Sequence, residues 1–406
     1  MSDPESTAPP APPTPAPGSA RPSPRGRRAA RLLLGIAIMG FVTVGAAAVG
    51  AVVLMKNEFS PSVTEGAALE VVVDGRLVDA PGGGGLVMDP SQFPLLLTEA
   101  TAEIRRAADD ERVSSLYLEI QDVGLGWAGA AELRDAVAAF SASGKPCYAW
   151  ADGYDNKAYY VASACSEVYL SPAGVMLVNG FAITTEYYAG TLEKLGVTAN
   201  FEHVGDFKSA IEPYTRAEPS ESASIAMEQM LERLFDEMLR GIAEGRELSP
   251  DEVRALVDDP PITPADALAR GMVDGLKWRD EVAEGLAGED HTKLSKYRTP
   301  KLGFNVGKSI AVVHADGAIV SGESGAPLFG GSMVGDRSMI DILDDVRTDD
   351  DVVAVVLRVN SPGGSGLASD NIWRALERVS DEGKPVVVSM GDYAASGGYY
   401  IAAGAD

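Results

Sequence analysis

The 406-residue chain is poor in histidine, cysteine and basic residues, and each scarcity closes off a class of function. It has three histidines, His203, His291 and His314, and none stands in a recognisable Ser/His/Asp signature. No Cys/His or Asp/Glu run has metal-ligand spacing, which argues against a metal hydrolase; no metal is expected. Lys and Arg number 34 against 59 Asp and Glu, a formal charge of −25. Arg21, Arg25, Arg27, Arg28 and Arg31 outnumber Asp3 and Glu5 in the first 31 residues, so the remainder is more acidic still. Such a body is repelled by nucleic acid and by anionic headgroups, and no nucleic-acid partner is expected. The two cysteines, Cys147 and Cys165, could pair in an oxidising compartment. Both lie in apolar surroundings, however, and buried free thiols are the expected state.

What is present is a globular composition, 46% hydrophobic and 23% charged, in a chain long enough for two or three domains. Residues 1–31 are rich in Pro, Ala and Ser with little to bury, and read as a disordered tail. From Leu32 to Met55 runs LLLGIAIMGFVTVGAAAVGAVVLM, which carries no charge and is long enough to cross a membrane as one helix. Arginines cluster before it and Lys56 alone follows closely, so the tail is expected in the cytoplasm and the body outside. Ala46-Ala47-Ala48 resembles a signal-peptide cleavage site, but the apolar run exceeds the usual length of such a core, and an uncleaved anchor is preferred.

The body repeats itself. VSSLYLEIQDVGLG (113–126) aligns with VVAVVLRVNSPGGS (352–365), and SGKP (143–146) with EGKP (382–385) at the same offset. With a one-residue shift, YDNKAYYVASA (154–164) aligns with YAASGGYYIAAGA (393–405). Each copy reads strand, glycine turn, amphipathic helix, GKP, strand, Tyr-Tyr helix, which predicts an α/β fold with two similar domains in tandem, residues 56–300 and 301–406. The second copy stops inside its last expected helix, so the sequence reads as truncated there.

The copies differ in chemistry. In GDYAASGGYYIAAGAD (391–406), Ser396 sits among small residues where a strand should turn into a helix, a place where a serine can act as a nucleophile. VVAVVLRVNSPGG (352–364) reads as a buried strand running into a glycine turn, whose N–H groups could face a developing oxyanion. Taken alone, either motif is an ordinary turn; together they suggest acyl transfer. In the first copy Asn156 replaces the serine and DVGL (122–125) replaces SPGG, so that copy lacks the nucleophile. The proton acceptor stays open on this evidence. His203 is the best histidine and Lys208, in GDFKSAIEPYTR (205–216), the best lysine. Burial against apolar surface would favour the neutral amine, while a surface lysine is the plainer reading.

GDFKSAIEP (205–213), VNSPGGS (359–365) and GDYAASGGYYIA (391–402), in this order, resemble the three motifs of the signal peptide peptidase A family in its long, duplicated, membrane-anchored form. The resemblance covers residues from about 65 onward. It implies tandem crotonase-like (ClpP-like) domains of αββ-type repeats, with Ser396 as nucleophile and Lys208 as base. On this reading the N–H groups of Gly363 or Gly364 and of Gly397 hold the oxyanion, and Ser209 could orient the lysine. It further implies a homo-oligomer, a tetramer, on the outer face of the cytoplasmic membrane, cutting leftover signal peptides without a cofactor. A crotonase-like acyl-CoA hydratase or thioesterase and a non-catalytic membrane scaffold are the alternatives.

Overall fold

A computed structural model of the chain describes residues 63–80, 95–297, 307–326 and 331–406. The expected tail and membrane span lie outside the described residues, among which no helix is long and apolar enough to cross a membrane.

The first sheet is parallel throughout. Its strands are β1 (Ala67–Asp74), β4 (Val113–Asp122), β5 (Cys147–Asp155), β6 (Glu167–Leu177), β7 (Gly275–Leu276) and β8 (His291–Lys293), in the order β7-β6-β5-β4-β1-β8. A short parallel pair, β2 (Leu77–Val78) and β3 (Leu95–Leu96), precedes β4. Parallel neighbours need crossovers. Helix α1 (Leu97–Asp109) leads into β4, α2 (Trp127–Ser141) joins β4 to β5, and α3 (Asn156–Ala162) joins β5 to β6. A long excursion between β6 and β7 carries α4 (Ala189–Lys194), α5 (Glu212–Thr215), α6 (Glu221–Arg246), α7 (Pro250–Asp258) and α8 (Pro264–Ala269). Helix α9 (Arg279–Ala283) precedes β8, and α10 (Leu294–Tyr297) follows it. Covered on both faces, β4 has a run of buried residues, Leu116, Tyr117, Leu118, Glu119 and Ile120, rather than an alternating pattern. Leu116 and Leu118 pack with Ile104, Val137 and Phe140 of the helices, and Tyr117 packs with Val282 and Ala283 on the opposite side.

The second sheet, also parallel, orders β9 (Ser309–Asp316), β12 (Val352–Ser361) and β13 (Val386–Ala394) as β13-β12-β9. A pair β10 (Ala318–Val320) and β11 (Met333–Gly335) stands beside it, with α11 (Asp336–Thr348), α12 (Gly366–Asp381) and α13 (Gly397–Ala402) as helices. Val355, Leu357 and Val359 form a separate core with Leu343, Ile372, Leu376 and Ile401. Ser365 caps α12 by accepting from Ala368 N.

The expectation of free thiols is corrected: Cys147 and Cys165 form a disulfide. Both are buried, so burial and pairing are not alternatives here. Ser166 Oγ donates to Cys147 O and accepts from Cys147 N, which draws the exit of α3 onto the start of β5 and brings the two sulfurs together.

Arg358 on β12 links the sheets. Its guanidinium is buried and bonds Asp79 through Nε and Nη2, Glu132 of α2 through Nη1 at 2.5 Å, and Ser389 of β13 at 2.8 Å. Burial works against its charge, but the hydrogen bonds and charge of Asp79 and Glu132 outweigh that, holding it more firmly protonated than usual. Asp79→Ala and Arg358→Met should therefore each cost about 3–5 kcal/mol in urea denaturation, the first by leaving a buried guanidinium half paired and the second by stranding the Asp79 carboxylate, and the double substitution should cost less than their sum. Equal, small losses would mean that the cluster is solvated.

Candidate active site

Ser396 lies at the junction of β13 and α13 with φ 50° and ψ −116°. Among the described non-glycine residues, it shares a positive φ with Glu247, which ends α6. A serine held so stores strain of the order of 1–3 kcal/mol and persists because its surroundings impose it. Strand-to-helix turns of this type lift a serine Oγ out of the backbone. Ser396 occupies the N-cap position of α13, where a serine hydroxyl usually accepts from the helix, yet its side chain makes no capping bond. The hydroxyl is exposed and free for chemistry.

The turn after β12 closes onto this junction. Gly363 has φ +92°, and a Cβ there would lie 2.5 Å from Gly397 N and 2.8 Å from Ser396 Cβ. At Gly364 a Cβ would lie 2.0 Å from Ile319 O, so both positions demand glycine. Gly363 N donates to Ser361 Oγ at 3.1 Å, and Ser361 Oγ donates to Gly317 O at 2.6 Å, which fixes the turn. The N–H groups of Gly364 and Gly397 have no acceptor among the described residues, and a Cβ on Gly397 would sit 3.3 Å from Gly364 N. Two unengaged donors thus stand beside the serine, and the pair is Gly364 with Gly397 rather than Gly363.

Ser396, Gly363, Gly364 and Gly397 are brought together; among the described residues, no hydrogen bond ties Lys208 or Ser209 to them. Lys208 is exposed in the excursion after β6, just before a single 3-10 turn at Ser209–Ile211, and no described hydrogen bond links it to Ser396 or to Ser209 Oγ. This segment buries little of its apolar surface: Leu195, Val204 and Phe207 are 71%, 95% and 66% exposed. His203, also exposed there, faces Gly205 O through Nδ1 at 3.1 Å. His291 is held by Ala283 O and Gly288 O. Burial pushes His314 below the ordinary histidine range, with nearby Asp79 pulling the other way, and it pairs with Arg358 across β9 and β12.

The stretches that align in sequence with the glycine turn and the serine junction, 122–125 and 156–157, make other contacts. Lys157 Nζ donates to Val123 O at 3.0 Å and Leu125 O at 2.5 Å, the carbonyls of the DVGL turn. Asn156 holds the backbone at 179–180, donating to Gly180 O and accepting from Asn179 N and Gly180 N. Sequence reasoning missed Asp392, whose carboxylate accepts backbone N–H groups at the start of α2. The GDY preceding Ser396 was a visible signal for a residue of interest, but its partner lies 266 positions away.

The family model for peptidase family S49 matches residues 139–293 and 378–406, a range that includes Lys208 and Ser396. Two curated relatives, each called Protease 4, are 33% identical to the chain: the protein of Salmonella typhi over 402 residues, 91% of this chain, and that of Haemophilus influenzae over 328 residues, 75% of this chain. Over these residues the chain is similar to peptidase family S49 and to the two Protease 4 proteins. It spans 63% of the length of the first relative and 52% of the second. Among solved structures, a crotonase-type enoyl-CoA hydratase/isomerase from Legionella pneumophila aligns with 47% of this chain and 62% of its own at 12% identity and a TM-score of 0.27. So loose an alignment does not refine the fold beyond a parallel α/β architecture.

Proposed function

We propose that the chain is a membrane-anchored serine endopeptidase in which Ser396 is the nucleophile and Lys208 the base, degrading remnant signal peptides at the outer face of the cytoplasmic membrane. The observation that carries this reading is the Ser396 junction: a strained serine with an unengaged hydroxyl beside two unengaged N–H groups. Neutral Lys208 Nζ would take the proton from Ser396 Oγ as Oγ attacks the scissile carbonyl. The same proton would then pass to the leaving amine, and water would hydrolyse the acyl-enzyme. The N–H groups of Gly364 and Gly397 would hold the oxyanion, each worth about 3 kcal/mol. The match to the S49 family model, which spans Lys208, and the GDFKSAIEP motif support the assignment of Lys208.

Because no hydrogen bond joins Lys208 to Ser396 among the described residues, the dyad requires the segment after β6 to meet a serine junction, of its own chain or of a neighbouring copy. The apolar side chains exposed there support a homo-oligomer, and the family resemblance makes it a tetramer. Two tandem repeats, 56–300 and 301–406, are supported by the matching runs β4-α2-β5-α3 and β12-α12-β13-α13. The apolar run at 32–55, preceded by arginines, supports a single span with the body outside.

The test is a synthetic apolar signal peptide incubated with the full-length protein and analysed by mass spectrometry. Cleavage within the apolar run is the expected result; an intact peptide together with thiol release from an acyl-CoA would favour the crotonase-type alternative. For topology, protease added to intact spheroplasts should digest the body and spare the tail, and digestion of the tail alone would reverse the orientation.

A further inference from the structure

Helix α2, in the first half of the chain, has 15 residues and begins after Gly126, which has no side chain to cap it. The missing cap comes from β13 in the second half. Asp392 Oδ2 accepts from Gly126 N at 2.9 Å, and Oδ1 accepts from Ala128 N at 2.9 Å and from Gly129 N at 3.4 Å. A carboxylate there also meets the positive end of the helix. The fit is close enough that a Cβ on Gly126 would stand 2.2 Å from Asp392 Cγ. Asp392 precedes Ser396 by four residues, on the strand whose end imposes the serine's strained backbone.

The same helix end touches the root of the lysine-bearing segment. Trp127, the first residue of α2, packs edge to face on Phe181 at 4.9 Å, and Phe181 follows the 179–180 backbone that Asn156 holds. The N-terminus of α2 therefore contacts both the strand that leads to Ser396 and the point from which the Lys208 segment departs.

We infer that Asp392 is a positioning residue: by capping α2 across the two halves it fixes the end of β13, and with it the Ser396 junction, against the first half of the chain. It touches neither substrate nor the reacting atoms. The inference rests on Ser396 being the nucleophile. A displacement of about 1 Å at a reacting atom can cost on the order of a hundredfold in rate, so a loosened β13 should show in the chemical step before it shows in binding.

The experiment measures the rate at which a serine-reactive phosphonate labels full-length protein, together with kcat and KM on an apolar peptide and thermal midpoints, for the parent, Asp392→Ala, Asp392→Asn and Gly126→Ala. Asp392→Ala should lower the labelling rate and kcat by about tenfold to a hundredfold with KM within about twofold. Asp392→Asn keeps one acceptor oxygen and should recover part of the rate. Gly126→Ala, which drives a methyl into the carboxylate, should reproduce the loss with Asp392 intact. If Asp392→Ala does not fold, the Asn and Gly126 variants carry the same comparison. Parental labelling rates in folded Asp392→Ala, or in folded Asp392→Asn and Gly126→Ala together, would overturn the inference while leaving Ser396 as nucleophile. A parent that is not labelled at Ser396 would overturn both.

Discussion

Ser396→Ala should lose peptide hydrolysis to background, a fall of at least about 10⁴-fold, with the fold intact. The reason is local. The Ser396 hydroxyl caps nothing, so its removal deletes the acyl-enzyme route without leaving an orphaned partner. Alanine carries the same Cβ as serine, so the strain at φ 50° is unchanged and the thermal midpoint should stay close to the parent. Ser396→Gly sharpens the comparison: it relaxes the backbone and should stabilise the protein by roughly 1–2 kcal/mol while remaining inactive. Asn156→Ser should not create a second active site. The turn at 122–125 offers carbonyls held by Lys157, whereas the N–H groups of Gly364 and Gly397 have no acceptor among the described residues. Peptide hydrolysis at parental rate in Ser396→Ala would place the nucleophile elsewhere.

Lys208→Arg should be as inactive as Lys208→Ala, a loss of about 10³-fold or more in kcat. An arginine keeps the charge and the reach of a surface lysine, but its guanidinium stays protonated at any usable pH and cannot accept the serine proton. Lys208 is exposed and makes no described ion pair, so neither substitution should disturb the thermal midpoint. A lysine that merely decorates the surface would tolerate arginine fully. Mixing Ser396→Ala with Lys208→Ala protein adds a further reading. Recovery of activity would mean that the dyad is completed between copies, and its absence, with both singles inactive, that it closes within one. An active Lys208→Arg protein would remove Lys208 from the mechanism and return His203 to consideration.

Local features were legible in the residues. The unbroken VVAVVL run read as a buried strand, and the SPGG turn and the SGG junction were recognisable from their small residues and together suggested acyl transfer. Contacts set by the tertiary fold were not. Which glycine N–H remains free depends on Ser361 taking that of Gly363, a bond fixed in turn by Gly317 O. Asp392 and Arg358 act on residues more than 200 positions away, beyond the reach of periodicity or turn chemistry. The disulfide was misjudged because burial was weighed against pairing, when Ser166 brings two buried cysteines together. Lys208 was singled out by its motif, and it stands in a segment whose Leu195, Val204 and Phe207 are largely exposed.

The most direct test of the Ser396 assignment is peptide mapping of the full-length protein after reaction with a serine-reactive phosphonate. One adduct is expected, on Ser396, and it should be absent from Ser396→Ala and strongly slowed in Lys208→Arg. An adduct on another serine, or undiminished labelling of Ser396→Ala, would contradict the account.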